Sequence, residues 1–308
     1  MRIYDLIILG AGPAGLSAAI YASRYNLDAI VVGKDMGMIT ETAEVENYLG
    51  LYPVTGLDLA KKFAEHAKKT GTEIIYDAIT DVSKLDDNFL VRASKKEFRA
   101  KSIIYALGGI KRRLGLKEEE KLIGKGISYC ATCDAPLFRD KVVAVAGGAN
   151  AAAGAAILLS EFATKVYIIY RREKLRATPS LVKRLGGKQN TEVIYSSVIK
   201  KVNGKDFVES VNLENLKDNK KSELNLNGIF VEFGSIPNSE FAEKLGVLLT
   251  DDKRITVNED MSTNVKGFFA VGDVTSGSNR FDQIITAASE GAIAADSVYK
   301  FLENKRSE

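Results

Sequence analysis

Short apolar runs that stop at glycine alternate along this chain with longer stretches of helical periodicity, a rhythm that predicts parallel sheets covered by helices. The first run, Leu6-Ile7-Ile8-Leu9, breaks at Gly10-Ala11-Gly12-Pro13-Ala14-Gly15 and is followed by a helical segment from Leu16 to Arg24. A second strand is predicted over Asp28 to Val32. From Gly37 to Tyr48 the residues keep neither period, so the stretch is read as irregular, the kind of segment that often lines a ligand. A helix over Gly56 to Thr70 comes next, then strands over Glu73 to Tyr76 and Phe89 to Ala93. His66 falls in that helix among lysines and is read as a surface residue with no catalytic role. The apolar run Ser102 to Leu107 reads as a buried strand returning to the first sheet and stopping at Gly108-Gly109. Lys111-Arg112-Arg113 then marks an exit from the domain, and Lys117 to Lys121 reads as a solvated face.

The strand-glycine-helix figure returns further on. Lys141 to Ala146 is a strand, Gly147-Gly148-Ala149-Asn150-Ala151-Ala152 a turn, and a helix follows to about Ala163. The next strand, Lys165 to Ile169, runs directly into Tyr170-Arg171-Arg172-Glu173-Lys174-Leu175-Arg176. Thr191 to Asn227 reads as a strand meander with a solvated turn at Lys217 to Lys221, and Gly228 to Gly234 as a strand leaving this second region. Gly267 to Val274 is a strand closing on Gly272-Asp273, ahead of a helix from Gln283 to Leu302. The fold class is therefore α/β, with the dinucleotide-binding motif repeated inside one chain.

In the first turn, Gly10 allows the sharp bend, Gly12 lets the backbone approach a pyrophosphate, and Gly15 lets helix pack on strand. The phosphate would lie at the helix N-terminus. The acidic residue expected at the end of the second strand is absent: Gly33 and Lys34 stand there, and Asp35 comes slightly late. In the second unit, Arg171, Arg172 and Arg176 stand where a ribose-binding carboxylate would otherwise be, which is what a 2′-phosphate requires and points to NADP rather than NAD. Ala149 occupies the position of the second fingerprint glycine, and a methyl in a tight contact costs on the order of 1 to 3 kcal/mol, roughly 5-fold to 150-fold in affinity. Asp273, at a strand end, can accept a ribitol or ribose hydroxyl or be an ordinary turn aspartate, and the helix from Gln283, if it abuts a flavin, would put its positive N-terminal end close to the pyrimidine carbonyl.

Both cysteines of the chain lie in Ser128-Tyr129-Cys130-Ala131-Thr132-Cys133-Asp134. Thiols at that spacing can close to a disulfide and reopen, accepting two electrons and passing them on, with Asp134 handling the proton. The other reading of the pair is half of a zinc site, disfavoured because tetrahedral zinc needs four ligands and the chain offers two Cys and a single, distant His66; no metal is expected. At 308 residues the chain suits two domains. Two cysteines make no disulfide framework, which favours a reducing compartment and a cytoplasmic location. The N-terminus resembles no signal peptide, no apolar run reaches the length of a membrane span, and membrane association is not expected. A net charge of +3, without a basic cluster interleaved with aromatics, argues against nucleic acid.

Taken together, the first glycine turn, Glu44-Val45-Glu46-Asn47, Cys130-Ala131-Thr132-Cys133-Asp134, Arg171-Arg172 with Arg176, and Gly272-Asp273 followed by Gln283 resemble the low-molecular-weight thioredoxin reductases of the pyridine nucleotide-disulfide oxidoreductase class, over nearly the full length. The resemblance implies two Rossmann-like three-layer domains, the second inserted in the first: a discontinuous FAD domain at 1–113 and 239–308, and an NADPH domain at 114–238 carrying the dithiol. It implies FAD contacts at Gly10, Gly12, Pro13, Ala14, Gly15, Gly37, Asn47, Gly108, Gly272, Asp273, Gln283 and Ile284. NADPH contacts are implied at Gly147, Gly148, Asn150, Ala151, Arg171, Arg172 and Arg176. Cys133 would face the flavin, Cys130 would attack the partner disulfide, and Asp134 would be the general acid. The implied activity passes electrons from NADPH through FAD and the dithiol to thioredoxin or a glutaredoxin-like protein, by a homodimer whose inserted domain rotates about linkers near Gly108-Gly109 and Gly234. The alternatives are a disulfide reductase fed by NADH or reduced ferredoxin and a non-catalytic flavin redox sensor. Departures from the family pattern are Ala149, Leu107 in place of a threonine, and Asp282 where an arginine commonly precedes Gln283.

Overall fold

The computed structural model describes residues 2–42 and 44–307; Ala43, in the irregular stretch, lies outside the described residues. In chain order the elements begin β1 (Ile3–Leu9), α1 (Pro13–Arg24), β2 (Ala29–Gly33), α2 (Gly56–Lys69), β3 (Glu73–Tyr76), β4 (Ile79–Leu85), β5 (Asn88–Ala93), β6 (Glu97–Tyr105) and β7 (Gly109–Lys111). They continue with α3 (Glu119–Leu122), β8 (Ile127–Ser128), α4 (Ala131–Asp134), β9 (Val142–Ala146), α5 (Asn150–Leu159), β10 (Lys165–Ile169), α6 (Pro179–Gly186) and β11 (Thr191–Ile194). Last come β12 (Ser197–Asn203), β13 (Ser210–Asn215), β14 (Lys221–Asn225), β15 (Gly228–Val231), β16 (Ser235–Pro237), α7 (Glu240–Lys244), β17 (Phe268–Ala270) and α8 (Ile284–Ser307). Two compact units result. One comprises the chain up to Thr40, Val45–Ile110 and the chain from Ile236; the other comprises Glu41–Glu44 and Lys111–Ser235.

In the first unit a seven-stranded sheet runs β3-β2-β1-β6-β5-β4, with β17 also paired to β6. Its strands β1, β2, β3, β6 and β17 are parallel, with Leu9 opposite both Val32 and Tyr105. Leu6, Ile7, Ile8 and Leu9 are fully buried because both faces are covered, which is why β1 is a continuous apolar run and does not alternate. Ile8, Leu16, Ala18, Val31, Ala294 and Val298 form the core on the helical face, while Ile7, Leu9, Phe89, Ile103 and Phe268 form the opposite core. Small residues let α8 lie close on α1: a Cβ on Gly291 would sit 2.1 Å from the Ala14 carbonyl oxygen.

The second unit repeats the plan on a five-stranded parallel sheet, β11-β10-β9-β15-β8. Helix α5 covers one face through Ala152, Ala156 and Leu159. The antiparallel sheet β12-β13-β14 covers the other through Val202, Val211 and Leu213. Two expectations need correction here. The stretch 191–227 is not one meander, because its first strand, β11, joins the parallel sheet beside β10 and only β12 to β14 are antiparallel. The charged run 117–121 is not wholly a solvated face: Glu119 is buried, and its carboxylate accepts the backbone N–H groups of Leu114 (3.0 Å) and Gly115 (2.8 Å). Hydrogen bonds from two loop donors offset the cost of taking this carboxylate out of water. His66 is exposed.

Candidate functional site

The first cradle lies at the carboxyl end of β1. Gly10 has φ +111°, and a Cβ there would meet the Ala106 carbonyl oxygen at 2.3 Å; on Gly15 it would meet the Gly10 carbonyl oxygen at 1.9 Å. Those two positions admit no side chain. Gly12 is different: a Cβ there would meet nothing within 4 Å, so this glycine faces open space next to the α1 N-terminus, where Pro13 occupies the first turn and needs no hydrogen-bond partner. Gly37, φ +81°, approaches Gly12 closely, with its notional Cβ 3.3 Å from the Gly12 Cα. The cradle is open, backbone-lined and placed at a helix N-terminus, which fits the pyrophosphate of a dinucleotide such as FAD.

Other sequence-predicted residues of this unit converge by hydrogen bonding. The Asn47 side-chain amide donates to Gln283 Oε1 at 2.8 Å, joining the irregular stretch to the residue before Ile284, where α8 begins. Gly272 is left-handed, φ +78°, and packs on Ala14, where its notional Cβ would lie 3.2 Å from the Ala14 Cβ. Gly108, also left-handed, accepts the Asn238 N–H at 2.9 Å through its carbonyl. Burial pushes the Asp273 carboxyl up to about 6, the neighbouring Asp282 charge adding to the effect and Arg254 opposing it. A carboxyl so placed is suited to bonding a hydroxyl.

Sequence reasoning missed what holds this turn. Buried Glu290, one helical turn and more into α8, accepts the Gly272 N–H at 2.6 Å. Arg254 forms a two-pronged pair with Asp282 at 2.8 and 2.7 Å and also donates to the Asp273 carbonyl at 3.0 Å. A guanidinium therefore does reach the position where Asp282 replaces the family's arginine, supplied from a loop 28 residues earlier. No local sequence pattern signals such a pair.

The second unit carries its own strand-turn-helix, β9 to α5, and the dithiol. Gly147 and Gly148 close the turn, Asn150 and Ala151 open the helix, and Arg171, Arg172 and Arg176 are all exposed beyond β10. Here the cradle differs. Ala149, the residue before the helix, has φ −103° and ψ −168°, close to the −81° and −177° of Gly12. Ala149 is exposed and belongs to none of this unit's buried clusters, so it carries a Cβ where the corresponding residue of the first cradle, Gly12, has none.

Cys130 and Cys133 form a disulfide with their Cα atoms 5.3 Å apart. Cys130 caps the short α4, its sulfur accepting the Cys133 N–H at 3.2 Å, so a backbone dipole faces the sulfur that would carry charge on reduction. Asp134 ends the same turn and is held by Ser128, whose hydroxyl donates to Oδ2 at 2.7 Å and accepts the Cys130 N–H at 3.1 Å. Ser128, in the predicted stretch but without a predicted role, is the link between the carboxylate and Cys130. Elsewhere in this unit the Glu232 carboxyl, just past β15, is pushed up to about 7 by burial, with Lys111 opposing and Glu41 adding to the effect. Lys111 also donates to the Tyr129 carbonyl and pairs with Glu41. Among the described residues no cluster of His, Cys, Asp and Glu could hold a metal ion, and no helix is long and apolar enough to cross a membrane.

Two nucleotide cradles in one chain, one of them on the unit that holds a CxxC disulfide, define a nucleotide-dependent oxidoreductase acting on disulfides. The family model for pyridine nucleotide-disulphide oxidoreductases matches residues 4–291, and the chain belongs to that family. It is 38% identical to a thioredoxin reductase of Bacillus subtilis over 98% of this chain and 96% of that one. Among solved structures it matches Lactococcus lactis thioredoxin reductase with a TM-score of 0.93, 36% identity and coverage of 98% and 99%. It matches T. acidophilum thioredoxin reductase with a TM-score of 0.91, 34% identity and coverage of 97% and 99%.

Proposed function

We propose that the chain is an FAD-dependent thioredoxin-disulfide reductase, moving electrons from NADPH to thioredoxin or a similar small disulfide protein. The observation that carries this reading is the Cys130–Cys133 disulfide beside a nucleotide cradle. In the proposed arrangement FAD is held by the discontinuous domain 1–113 and 239–308, and NADPH by the domain 114–238. When bound, the flavin supplies a relay that takes a hydride from the nicotinamide and hands two electrons to the disulfide.

The chain's own residues then do the following. Once reduced, Cys130 attacks a sulfur of the partner disulfide as a thiolate, aided by the Cys133 N–H that faces it. The partner's first thiolate leaves and takes a proton from Asp134, which Ser128 holds in place. The Cys133 thiol then passes its proton to the Asp134 carboxylate and attacks Cys130 Sγ, releasing the partner's second thiolate, which takes that proton from Asp134. The Cys130–Cys133 disulfide is restored and the partner leaves as a dithiol, with two electrons and two protons transferred. A dithiol about 30 mV more reducing than its target gains about 1.4 kcal/mol, a tenfold bias. The proposed working form is a homodimer in the cytoplasm.

The test is anaerobic mixing of the flavin-loaded protein with NADPH, NADH or a reduced iron-sulfur donor, following flavin absorbance, then addition of oxidised thioredoxin. Bleaching by NADPH and recovery with thioredoxin over many cycles is expected. A flavin that NADPH leaves oxidised refutes the donor. Reduction that stops after one equivalent refutes the enzyme and favours a redox sensor.

A further inference from the structure

The two cradles of this chain can be compared atom for atom, because the residue before each helix has almost the same backbone conformation: φ −81°, ψ −177° at Gly12 and φ −103°, ψ −168° at Ala149. In the first cradle a Cβ would meet no protein atom within 4 Å. In the second the Cβ is there, exposed, at the point where a backbone must come close to a pyrophosphate. We infer that Ala149 is the residue that limits how tightly the second cradle holds a dinucleotide, leaving the hold to the 2′-phosphate end at Arg171, Arg172 and Arg176. This inference rests on the reading that the second unit takes the nicotinamide cofactor.

A turn free to move could shift and absorb one methyl group. This one is fixed from several sides. Behind Gly147 lies the Glu232 carbonyl oxygen, 2.3 Å from where a Cβ would be, so the turn cannot retreat toward β15. Over Gly148 lies the ring of Tyr170, whose atoms would be 2.4 Å from a Cβ, so the turn cannot move toward β10 either. The Gly148 carbonyl accepts the Arg176 N–H at 2.7 Å, and Asn150 Oδ1 accepts the Thr178 N–H at 2.8 Å. The segment bearing the arginines is thus tied to the same turn that carries the methyl. Close-packed surroundings transmit such a clash instead of relaxing it. Beyond Asn150, whose Oδ1 is taken by the Thr178 N–H, helix α5 adds no polar side chain: it reads Asn-Ala-Ala-Ala-Gly-Ala-Ala-Ile-Leu-Leu, and its N-cap has no side-chain hydrogen bond. The arginines, by contrast, stand exposed on the segment beyond β10. The cofactor is consequently gripped at the phosphorylated ribose and held loosely along the pyrophosphate, an arrangement that favours rapid release.

The test measures binding, independent of turnover, by calorimetric titration of the oxidised, flavin-loaded protein with NADP⁺ and with adenosine 2′-phosphate, which carries the phosphorylated ribose and no pyrophosphate. The variant Ala149→Gly should tighten NADP⁺ by roughly 5-fold to 150-fold and change adenosine 2′-phosphate by less than about twofold. Arg171→Ala should weaken both ligands together. Equal NADP⁺ affinity in the wild type and Ala149→Gly overturns the inference, as does equal tightening of both ligands, which would mean that the turn had rearranged. Failure of either form to bind NADP⁺ overturns it too. In that last case, reduction of thioredoxin by dithionite-reduced protein would still stand, locating the failure in the electron donor and not in the disulfide chemistry.

Discussion

Replacing Glu232 with glutamine should make the protein more stable, by an amount that grows from almost nothing near pH 4.5 to its full size by about pH 7. The backbone of Glu232 is held at the end of the β15–β9 ladder by its N–H bond to the Ala146 carbonyl at 2.8 Å, and its side chain is partly covered. Burial lifts its carboxyl from 4.5 to about 7, with Lys111 too weak a counterweight. Between those values the folded chain binds a proton that the unfolded chain does not. The stability this group contributes is therefore complete below pH 4.5 and is lost as pH rises through about 7. The shift corresponds to at most about 3 kcal/mol, at 1.36 kcal/mol per unit. Glutamine has nearly the same shape and never ionises, so Glu232→Gln removes the loss. Thermal melts at constant ionic strength should give wild type and variant the same Tm near pH 4.5, and the variant an advantage of about 6 °C at pH 8, at roughly 2 °C per kcal/mol. An offset that is constant across pH, or zero throughout, would refute the reasoning, since only a titrating buried charge makes the gap grow over this window.

Gly15→Ala would put a Cβ 1.9 Å from the Gly10 carbonyl oxygen, and the purified variant should have lost its flavin; a wild-type ratio of flavin to protein absorbance would contradict the packing described. Glu290→Ala strips the Gly272 N–H of its acceptor, which should cost about 1 to 3 kcal/mol and speed FAD release into the filtrate of a spin column. Flavin retention equal to wild type would mean that Glu290 does not hold the turn. Cys133→Ser should keep its flavin and its far-ultraviolet circular dichroism yet reduce no thioredoxin over repeated cycles, and sustained turnover would rule out the dithiol route.

Much of the framework was legible along the chain for a local reason. A strand buried on both faces must be apolar throughout, a turn at φ +111° must be glycine, and a redox disulfide between neighbours in one helical turn needs two cysteines at short spacing. Each of these is a constraint on a few consecutive residues, so Leu6 to Leu9, Gly10 to Gly15 and Cys130 to Cys133 announce themselves. The bounds of β3 and β10 follow in the same way, from runs that begin and end at polar or glycine residues.

Partnerships between distant segments were not legible. Glu119 read as one charge in a solvated run, because nothing in Lys117 to Lys121 says that Leu114 and Gly115 turn their N–H groups back on it. The strand β11 read as the start of a meander, because a four-residue strand has the same composition whether its neighbour is parallel or antiparallel. Arg254 reaches Asp282, Glu290 reaches Gly272 and Asn47 reaches Gln283 only once the sheet has gathered loops from far along the chain to one edge. Ala149 belongs to both kinds. Its identity was plain as a departure from glycine at a known position of the motif. That its methyl stands in the open, on a turn pinned by Tyr170 and the Glu232 carbonyl, was decided by packing, because clearance around an atom depends on every neighbour that folding brings to it.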